Sequence, residues 1–147
     1  MQRHVIQFYE TRGEYGCFSN FSKHPINLDG TTWPTTEHYF QAMKFAGTQH
    51  EEMIREASTA AIAAKMGRER SRPLRKDWEE VKEQVMMKAL RAKFTQHASA
   101  RNTLLGTGNA RLVEHTNKDS YWADGGDGSG KNRLGELLMQ LRAELRG

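Results

Sequence analysis

Residues 26–45 read INLDGTTWPTTEHYFQAMKF, and they combine both kinds of secondary structure found in this chain. Residues 26–33 predict a β-hairpin, because Asp29-Gly30 favours the tight turn between two short strands. The pattern then becomes helical, with Pro34-Thr35-Thr36 as the N-cap region of a helix from about residue 37 to 45. A small strand pair followed by helices predicts the α+β class.

Helical patterns account for most of the remaining chain. Asp77 is a suitable cap for a long helix that reaches about residue 94. Leucines at helical spacing between residues 134 and 145 predict a last helix with one apolar face in the core. Shorter helices are predicted at 51–56, 59–66 and 98–105, and strands at 4–9 and 111–115. We therefore expect a mostly helical α+β single domain over residues 1–147, with a small antiparallel element near the N-terminus.

Composition limits the class of protein. A chain of 147 residues is long enough to bury a core as one domain. Cys17 is the only cysteine, which excludes an intrachain disulfide framework and fits a reducing compartment. The first ten residues lack an apolar signal segment, and no stretch approaches the roughly 18 apolar residues of a membrane span. We expect a cytoplasmic protein without a membrane partner, and no particular oligomeric state is predicted.

The net charge is mildly positive, with 22 basic and 18 acidic side chains and a formal charge of +4. The densest basic cluster, residues 68–76, reads RERSRPLRK and contains Glu69 but no aromatic residue. Nucleic-acid surfaces usually interleave basic and aromatic residues. We interpret this cluster as a solvated turn between helices, with a nucleic-acid patch as the alternative.

A glycine-rich segment, YWADGGDGSGKNRL at residues 121–134, runs into the last predicted helix. Its glycines are Gly125, Gly126, Gly128 and Gly130. Unpaired amides at a helix N-terminus favour anions, and Lys131 adds a positive charge, so we expect a phosphate contact here. The segment is not a P-loop, because Asn132 stands where a hydroxyl would bind magnesium. The alternative is a surface turn without a ligand.

Some polar residues fall on helix faces where apolar residues are expected. Glu37, Gln41 and Lys44 share one face, which is either the solvent side of its helix or the wall of a cavity. Lys82 and Lys93 point into the apolar sector of the long helix. These lysines either extend to the surface or line an anion pocket, where a phosphate would stabilise their charge.

The segment YGCFSNF at residues 15–21 mixes aromatic and polar side chains on a predicted loop. Phe18, Ser19 and Asn20 suit stacking on a flat heterocycle and hydrogen bonding to its edge. A packed turn explains them equally well. His38 and His115 have no metal-ligand spacing, so we interpret them as packing or surface residues and expect neither a metal nor another cofactor.

Four segments together resemble the NADAR family, in particular its YbiA branch. They are YGCFSNF at 15–21, TWPTTEHYFQAMKF at 32–45, MGRERSRPLRKDWEEVKEQVMMKALRAKF at 66–94 and LVEHTNKDSYWADGGDGSGKNRLGELLM at 112–139. The resemblance implies an N-glycosidase that hydrolyses ribosylaminopyrimidine phosphates, intermediates of riboflavin biosynthesis. The alternative that it implies is the binding or removal of ADP-ribose, for example from guanine in nucleic acid.

The resemblance also assigns functional residues. Glu37, Trp122 and Asp124 match functional positions of the family, and Lys44 matches the lysine of its QAxKF pattern. Two carboxylates suit the stabilisation of an oxocarbenium-like centre and the transfer of a proton to the leaving amine. Lys44 allows a second route through a transient imine. In either route, Trp122 would stack on the base or the sugar.

The substrate expected from this resemblance is a phosphorylated ribosyl heterocycle. Its contacts are predicted at aromatic, polar and glycine-rich positions described above: Phe18, Ser19, Asn20, Gln41, Lys82, Lys93, Gly125, Gly126, Gly128, Lys131 and Asn132. An ADP-ribosylated nucleic acid is the alternative partner.

Overall fold

The structure is a computed structural model that describes residues 4–147. Over this range it contains six α-helices, one short 3-10 helix and four strands. In chain order they are β1 Val5–Phe8, the 3-10 helix Gly16–Phe18, β2 Ile26–Leu28, β3 Thr31–Trp33, α1 Thr36–Met43, α2 Gln49–Arg55, α3 Ala60–Gly67, α4 Trp78–Gln96, α5 Ala98–Gly106, β4 Arg111–Glu114 and α6 Arg133–Arg146. The predicted α+β class is confirmed.

These elements form two compact units. The central unit is Asn20–Gln96 and holds β2, β3 and α1 to α4. The terminal unit combines residues 4–19 with 97–147 and holds β1, β4, α5 and α6. The single domain over the whole chain stays a prediction.

The hairpin of the central unit forms where residues 26–33 predict it. β2 and β3 are antiparallel, and Ile26 faces Trp33 while Leu28 faces Thr31. Asp29 and Gly30 both have left-handed backbone angles, with φ of 54° and 82°. Such angles belong to the tight turn that suits the twist of two short strands, and glycine and aspartate tolerate them.

Threonine caps define where the shorter helices of the central unit begin. Thr35 accepts a hydrogen bond from the backbone N–H of His38, Thr48 from His50 and Thr59 from Ile62. Each hydroxyl pairs an amide that the helix leaves without a partner. The predicted starts of α1 and α3 agree with these caps, and α2 begins two residues before its predicted position.

Helix α1 lies in the middle of the central unit and packs against α2, α3 and α4. Every residue from Thr36 to Ala42 is buried. Small residues on the neighbouring helices allow this close approach, and Trp33 meets the ring of Tyr39 edge-on at 5.2 Å. The core of this unit consists of Ile26, Trp33, Tyr39, Ala42, Phe45, Ile54, Ala63, Ala89 and Ala92. Polar side chains on α1 are therefore buried too.

The terminal unit is built on a parallel strand pair. β1 and β4 pair in register from Val5 with Arg111 to Phe8 with Glu114. Helix α6 follows and packs against β4, and its apolar face is buried at Leu134, Leu137, Leu138 and Leu141. Both strands were predicted individually. Their parallel pairing was not, because the partners lie about a hundred positions apart and share no local signal.

Among residues 4–147, no helix combines the length and the apolar character that crossing a bilayer requires.

Candidate functional site

The polar row formed by Glu37, Gln41 and Lys44 along α1 is largely buried. Glu37 and Gln41 are only 7% and 5% exposed, whereas Lys44 is half-buried at the end of the helix. The solvent-facing alternative is therefore wrong for Glu37 and Gln41. Buried polar groups persist when they are hydrogen-bonded or serve a function.

Gln41 forms a hydrogen bond within the polar row. Its Nε2 donates to Oε2 of Glu37 at 2.8 Å, one helical turn away. Its Oε1 is buried and accepts no hydrogen bond among the described residues. A buried carbonyl without a donor costs about 1–3 kcal/mol, and a donor on a bound molecule would satisfy it. Gln41 thus places an acceptor next to a buried carboxylate and against the backbone of Gly67.

Asn20 holds the first turn of α1 in place. Its backbone carbonyl accepts from the N–H of Glu37 at 3.1 Å, and its Oδ1 accepts from the hydroxyl of Thr36 at 2.8 Å. The side-chain amide of Asn20 points to Sδ of Met86 at 3.5 Å. These contacts give Asn20 a structural role beside Glu37, and its predicted contact with substrate remains a prediction.

Lys44, the last residue of the polar row, lies near two aromatic rings. Its Nζ donates to the carbonyl of Gly67 at 3.2 Å and lies about 6 Å from the ring centroids of Phe40 and Trp78. Burial lowers the pKa of Lys44; Glu37 opposes this shift, and the positive charge of Arg68 adds to it. The net lowering enlarges the neutral, nucleophilic fraction of this amine.

Gly67 is a residue of this site that the sequence analysis did not single out. A Cβ at this position would lie 2.6 Å from Cδ and 2.9 Å from Cβ of Gln41. The same residue supplies the carbonyl that receives Lys44. A glycine inside a helical pattern is a recognised sign of close packing, and it was the available signal.

The two lysines of α4 have different surroundings. Lys93 is completely buried and its Nζ donates to the hydroxyl of Ser22 at 3.0 Å, so extension to the surface is wrong for this residue. Lys82 is half-buried and forms an ion pair with Glu79 at 2.5 Å, one turn earlier. The predicted phosphate contact of either lysine stays untested.

His38 is a packing residue, as predicted. It is buried, its Nδ1 meets the hydroxyl of Thr35 at 2.8 Å and its Nε2 meets the carbonyl of Ala57 at 2.9 Å. Burial lowers the pKa of His38, although the bond to Ala57 opposes the shift. A neutral ring that connects the cap of α1 to the end of α2 explains this histidine.

In the terminal unit, Asp124 is a buried carboxylate with several partners. Oδ2 meets Nδ1 of His115 at 2.7 Å, and Oδ1 accepts from the amides of Gly126 and Thr116 at 2.8 and 3.1 Å. Burial raises the pKa of Asp124, but the hydrogen bonds from His115 and the two amides outweigh it, so the net pKa is lowered. Asp124 is therefore ionised near neutral pH.

The glycine-rich loop pairs its amides internally. Those of Gly130, Lys131, Arg133 and Leu134 donate to the carbonyls of Asp124, Ser120, Tyr121 and Trp122. The expectation of free amides at the start of α6 is wrong for these groups, because the loop folds back on the segment before it. Left-handed φ values of 75° to 91° at Gly125, Gly126 and Gly128 explain the glycines. Contacts of these glycines and of exposed Lys131 with substrate stay predictions.

The aromatic candidates of the terminal unit also have packing partners. Phe18 is completely buried, with the rings of Phe8 and Tyr15 at 5.5 and 5.6 Å. This position supports the packed-turn alternative for Phe18, and Ser19 beside it is 5% exposed. Trp122 is half-buried and meets Tyr121 edge-on at 4.9 Å.

Asn132 connects β4 to α6. It is 2% exposed, its Nδ2 donates to the carbonyl of Leu112 at 2.9 Å and its Oδ1 accepts from the N–H of Glu114 at 3.0 Å. Its backbone is left-handed, with φ of 51° and ψ of 43°. The side chain thus stabilises the fold, and its predicted contact with substrate stays a prediction.

Replacement of Asn132 by alanine is expected to lower the free energy of unfolding by about 2–4 kcal/mol. Two hydrogen bonds are lost, one buried and one part-buried, and the left-handed backbone becomes strained. Urea denaturation measures the change. Asn132→Gly keeps the backbone relaxed and should recover about 1 kcal/mol of the loss. An alanine variant within 0.5 kcal/mol of the wild type would contradict this role.

Among residues 4–147, no three histidine, cysteine or acidic side chains are grouped so as to hold a metal ion.

Comparisons with other proteins identify the family. The NADAR domain profile matches residues 7–146. The chain belongs to the NADAR family. Relatives within this family include the N-glycosidase YbiA of Escherichia coli, 62% identical over 99% of this chain and 91% of that protein. The NMR structure of E. coli YbiA covers 99% of this NADAR chain and 87% of that chain, with a TM-score of 0.91.

More distant relatives agree with this NADAR assignment. An N-glycosidase of Nostoc punctiforme is 46% identical over 97% of this chain and 93% of that protein. A riboflavin biosynthesis protein of Vibrio vulnificus is 42% identical over 95% of this chain, which spans 38% of that longer protein. The resemblance found in the four sequence segments is confirmed.

Proposed function

We propose that this NADAR protein is an N-glycosidase that hydrolyses ribosylaminopyrimidine 5′-phosphates to ribose 5-phosphate and the free pyrimidine. The observation that carries the proposal is the buried pair of Glu37 and Gln41, with Lys44 farther along the same helix. Relatives named N-glycosidase and riboflavin biosynthesis protein support the reaction class and the substrate class.

Glu37 and Gln41 suit the charge that develops on the sugar. Cleavage of an N-glycosidic bond passes through an oxocarbenium-like centre, which a nearby carboxylate stabilises. The side-chain carbonyl of Gln41 accepts no hydrogen bond among the described residues and would receive one from a ribose hydroxyl. In this proposal Glu37 stabilises the cation or activates water, and Gln41 orients the ribose.

Asp124 has a narrower set of roles than the sequence allowed. Its lowered pKa keeps it ionised near neutral pH, so it is unsuited to donate a proton. It remains a proposed stabiliser of positive charge, an activator of water or a group that fixes the ribose hydroxyls. The contact of Trp122 with the base stays a prediction, as do those of Lys82, Lys93 and Lys131 with the phosphate.

Lys44 supports a covalent version of the same reaction. In the ring-opened glycosylamine, C1 is double-bonded to the pyrimidine nitrogen. The neutral amine of Lys44 would add to C1, and the electron pair of the C=N bond would go to the pyrimidine nitrogen, which takes up a proton. The remaining C1–N bond would then break, so that the pyrimidine amine leaves with a second proton while Lys44 forms an imine with C1; both protons come from the lysine amine. Water would then release ribose 5-phosphate and restore the lysine. Glu37 would transfer the protons.

Borohydride added during turnover is expected to label Lys44 with the reduced sugar, as seen by peptide mass spectrometry. Because only the neutral amine attacks, labelling should rise with pH and level off below the pH at which an ordinary lysine would. Lys44→Met should remove the label, whereas Lys65→Met, at an exposed lysine of α3, should keep it. Active turnover without any label would argue against the covalent route.

The proposed function is tested by incubating the protein with a panel of ribosylated heterocycles and identifying the products by mass spectrometry. Release of ribose 5-phosphate and a free pyrimidine is expected. Cleavage of ADP-ribosylated guanine instead would support the alternative activity, and saturable binding without products would indicate a binding module. No cleavage of any N-glycoside would refute the proposal.

The basic cluster at residues 68–76 bears on the nucleic-acid alternative. Arg75 pairs with Asp77 at 2.6 Å, and Arg72 lies 3.7 Å from Glu69. Arg68 and Arg70 are exposed. If this surface binds nucleic acid, affinity should fall steeply with salt concentration, whereas a flat salt response would exclude it.

A further inference from the structure

We propose that Asn20 and Thr36 are positioning residues of this glycosidase, and that they act through Glu37 by fixing the first turn of α1. The inference rests on the proposed function and deepens it. Asn20 was predicted to contact the substrate, whereas Thr36 was predicted only as part of the N-cap region. Every residue that the inference uses lies in the central unit.

Asn20 binds the first turn of α1 through both its backbone and its side chain. Its backbone carbonyl accepts from the N–H of Glu37 at 3.1 Å and from the hydroxyl of Thr36 at 3.2 Å. Its Oδ1 accepts from the same hydroxyl at 2.8 Å. One loop residue thus holds the backbone of Glu37 and the side chain that precedes it.

The amide of Glu37 depends on a partner from outside its helix. The first amides of a helix have no acceptor within it, and capping groups or other segments must pair them. In α1, the cap residue Thr35 pairs the amide of His38, whereas Asn20 pairs the amide of Glu37. Asn20 and Thr36 are both buried, so water does not readily replace their contact.

Helix α4 fixes the loop that carries Asn20. The side-chain amide of Asn20 points to Sδ of Met86 at 3.5 Å, and Nζ of Lys93 donates to the hydroxyl of Ser22 at 3.0 Å. Ser22 and Lys93 are buried. The loop is therefore attached to α4 at two nearby residues, and Asn20 passes this fixed position on to α1. The attachment also gives Lys93 a structural role.

The carboxylate of Glu37 is thus positioned from two sides. Nε2 of Gln41 donates to Oε2 of Glu37 at 2.8 Å, and Asn20 holds the backbone from which that side chain extends. A carboxylate that stabilises an oxocarbenium-like centre acts only at a defined distance from it. A displacement of about 1 Å can lower the rate by about 10²-fold. Loss of the contact between Asn20 and Thr36 should therefore reduce turnover while Glu37 itself is retained.

The test begins with Thr36→Val, because valine keeps the shape of the buried threonine and removes its hydroxyl. On the substrate that the wild type cleaves best, kcat should fall by about 10–10²-fold, with KM within about threefold of the wild type. Thr36→Ser keeps the hydroxyl and should recover most of this activity. Thr95→Val is the matched control and should be unchanged, since it removes an exposed hydroxyl of the same unit that donates to the carbonyl of Arg91.

An effect that passes through Glu37 should disappear once its carboxylate is removed. Asn20→Ala keeps the backbone carbonyl, removes Oδ1 and should lower kcat about as much as Thr36→Val. In a Glu37→Gln background, either substitution should change the remaining kcat by less than about twofold. Losses that multiply fully in this background would overturn the role, as would folded Thr36→Val and Asn20→Ala variants that both keep wild-type kcat.

Amide hydrogen exchange tests the same contacts without a substrate. Exchange at the N–H of Glu37, followed by NMR under native conditions, should be faster in Thr36→Val and Asn20→Ala than in the wild type or in Thr36→Ser. Unchanged exchange in both variants would overturn the proposal. A wild type that cleaves no N-glycoside would refute the proposed function, and faster exchange would then still support the hold of Asn20 and Thr36 on the first turn of α1.

Discussion

Glu37→Gln is expected to lower kcat by about 10²–10⁴-fold on the substrate that the wild type hydrolyses, with a smaller change in KM. Glutamine has nearly the shape of glutamate, and its carbonyl can still accept the hydrogen bond that Gln41 donates at 2.8 Å. The substitution therefore removes the negative charge and preserves the local packing. Steady-state kinetics, with product detection by mass spectrometry, measures the effect.

The control for this variant is Glu80→Gln. Both glutamates lie in the first turn of a helix, α1 for Glu37 and α4 for Glu80, but Glu80 is exposed. We expect wild-type kinetics for Glu80→Gln. If Glu37→Gln is folded and turns over within threefold of the wild type, the carboxylate of Glu37 does not take part in the reaction.

Gly67→Ala is expected to lower kcat by about 10²-fold, because the new methyl group would displace Gln41. The methyl carbon would lie 2.6 Å from Cδ and 2.9 Å from Cβ of Gln41. The side chain must therefore rotate away and the backbone of one helix must also shift, because rotation of the side chain does not move Cβ. Glu37 would then lose the hydrogen bond from Gln41, and the carbonyl that holds Lys44 would shift. Overpacking of this kind also costs about 1–3 kcal/mol of stability, which urea denaturation can measure.

Two comparisons separate this mechanism from a general effect of alanine in a helix. Gly106 lies at the end of α5 with no atom within 4 Å of an added Cβ, so Gly106→Ala should be neutral or slightly stabilising. The double variant Gly67→Ala with Gln41→Gly removes the side-chain atoms that the new methyl group would meet, and it should be no less active than Gln41→Gly alone. A further loss of activity in the double variant would show that Gly67 acts independently of Gln41.

Much of the secondary structure was predictable because its signals are local. Thr35 and Thr59 mark the starts of α1 and α3, Asp29 and Gly30 mark the hairpin turn, and the leucines of α6 mark its buried face. Each of these features depends on residues a few positions apart. The parallel pairing of β1 with β4 was missed because strand pairing over a long separation has no such local signal.

The residue types of the candidate site could be predicted from the sequence, but the burial and the hydrogen-bond partners of each side chain could not. Glycines at 125–130 correctly indicated an unusual backbone, yet their loop binds its own carbonyls instead of leaving amides for an anion. Lys93 was correctly identified as a lysine on an apolar face, but only its burial against Ser22 excludes extension to the surface. Burial and pairing depend on atoms contributed from elsewhere in the chain, which a periodic pattern does not reveal.

Residues 26–45 show which properties follow from local sequence and which depend on tertiary packing. Their turn dipeptide and threonine cap determine a hairpin followed by a helix, because backbone preferences act over a few residues. The same residues do not indicate that Glu37 is buried, that Gln41 turns to it, or that Lys44 loses basicity. Tertiary packing decides these properties, since Gly67 leaves room for Gln41 and the rings of Phe40 and Trp78 surround Lys44. Solvation and close contact set the chemistry of a side chain, and both arise only when distant segments meet.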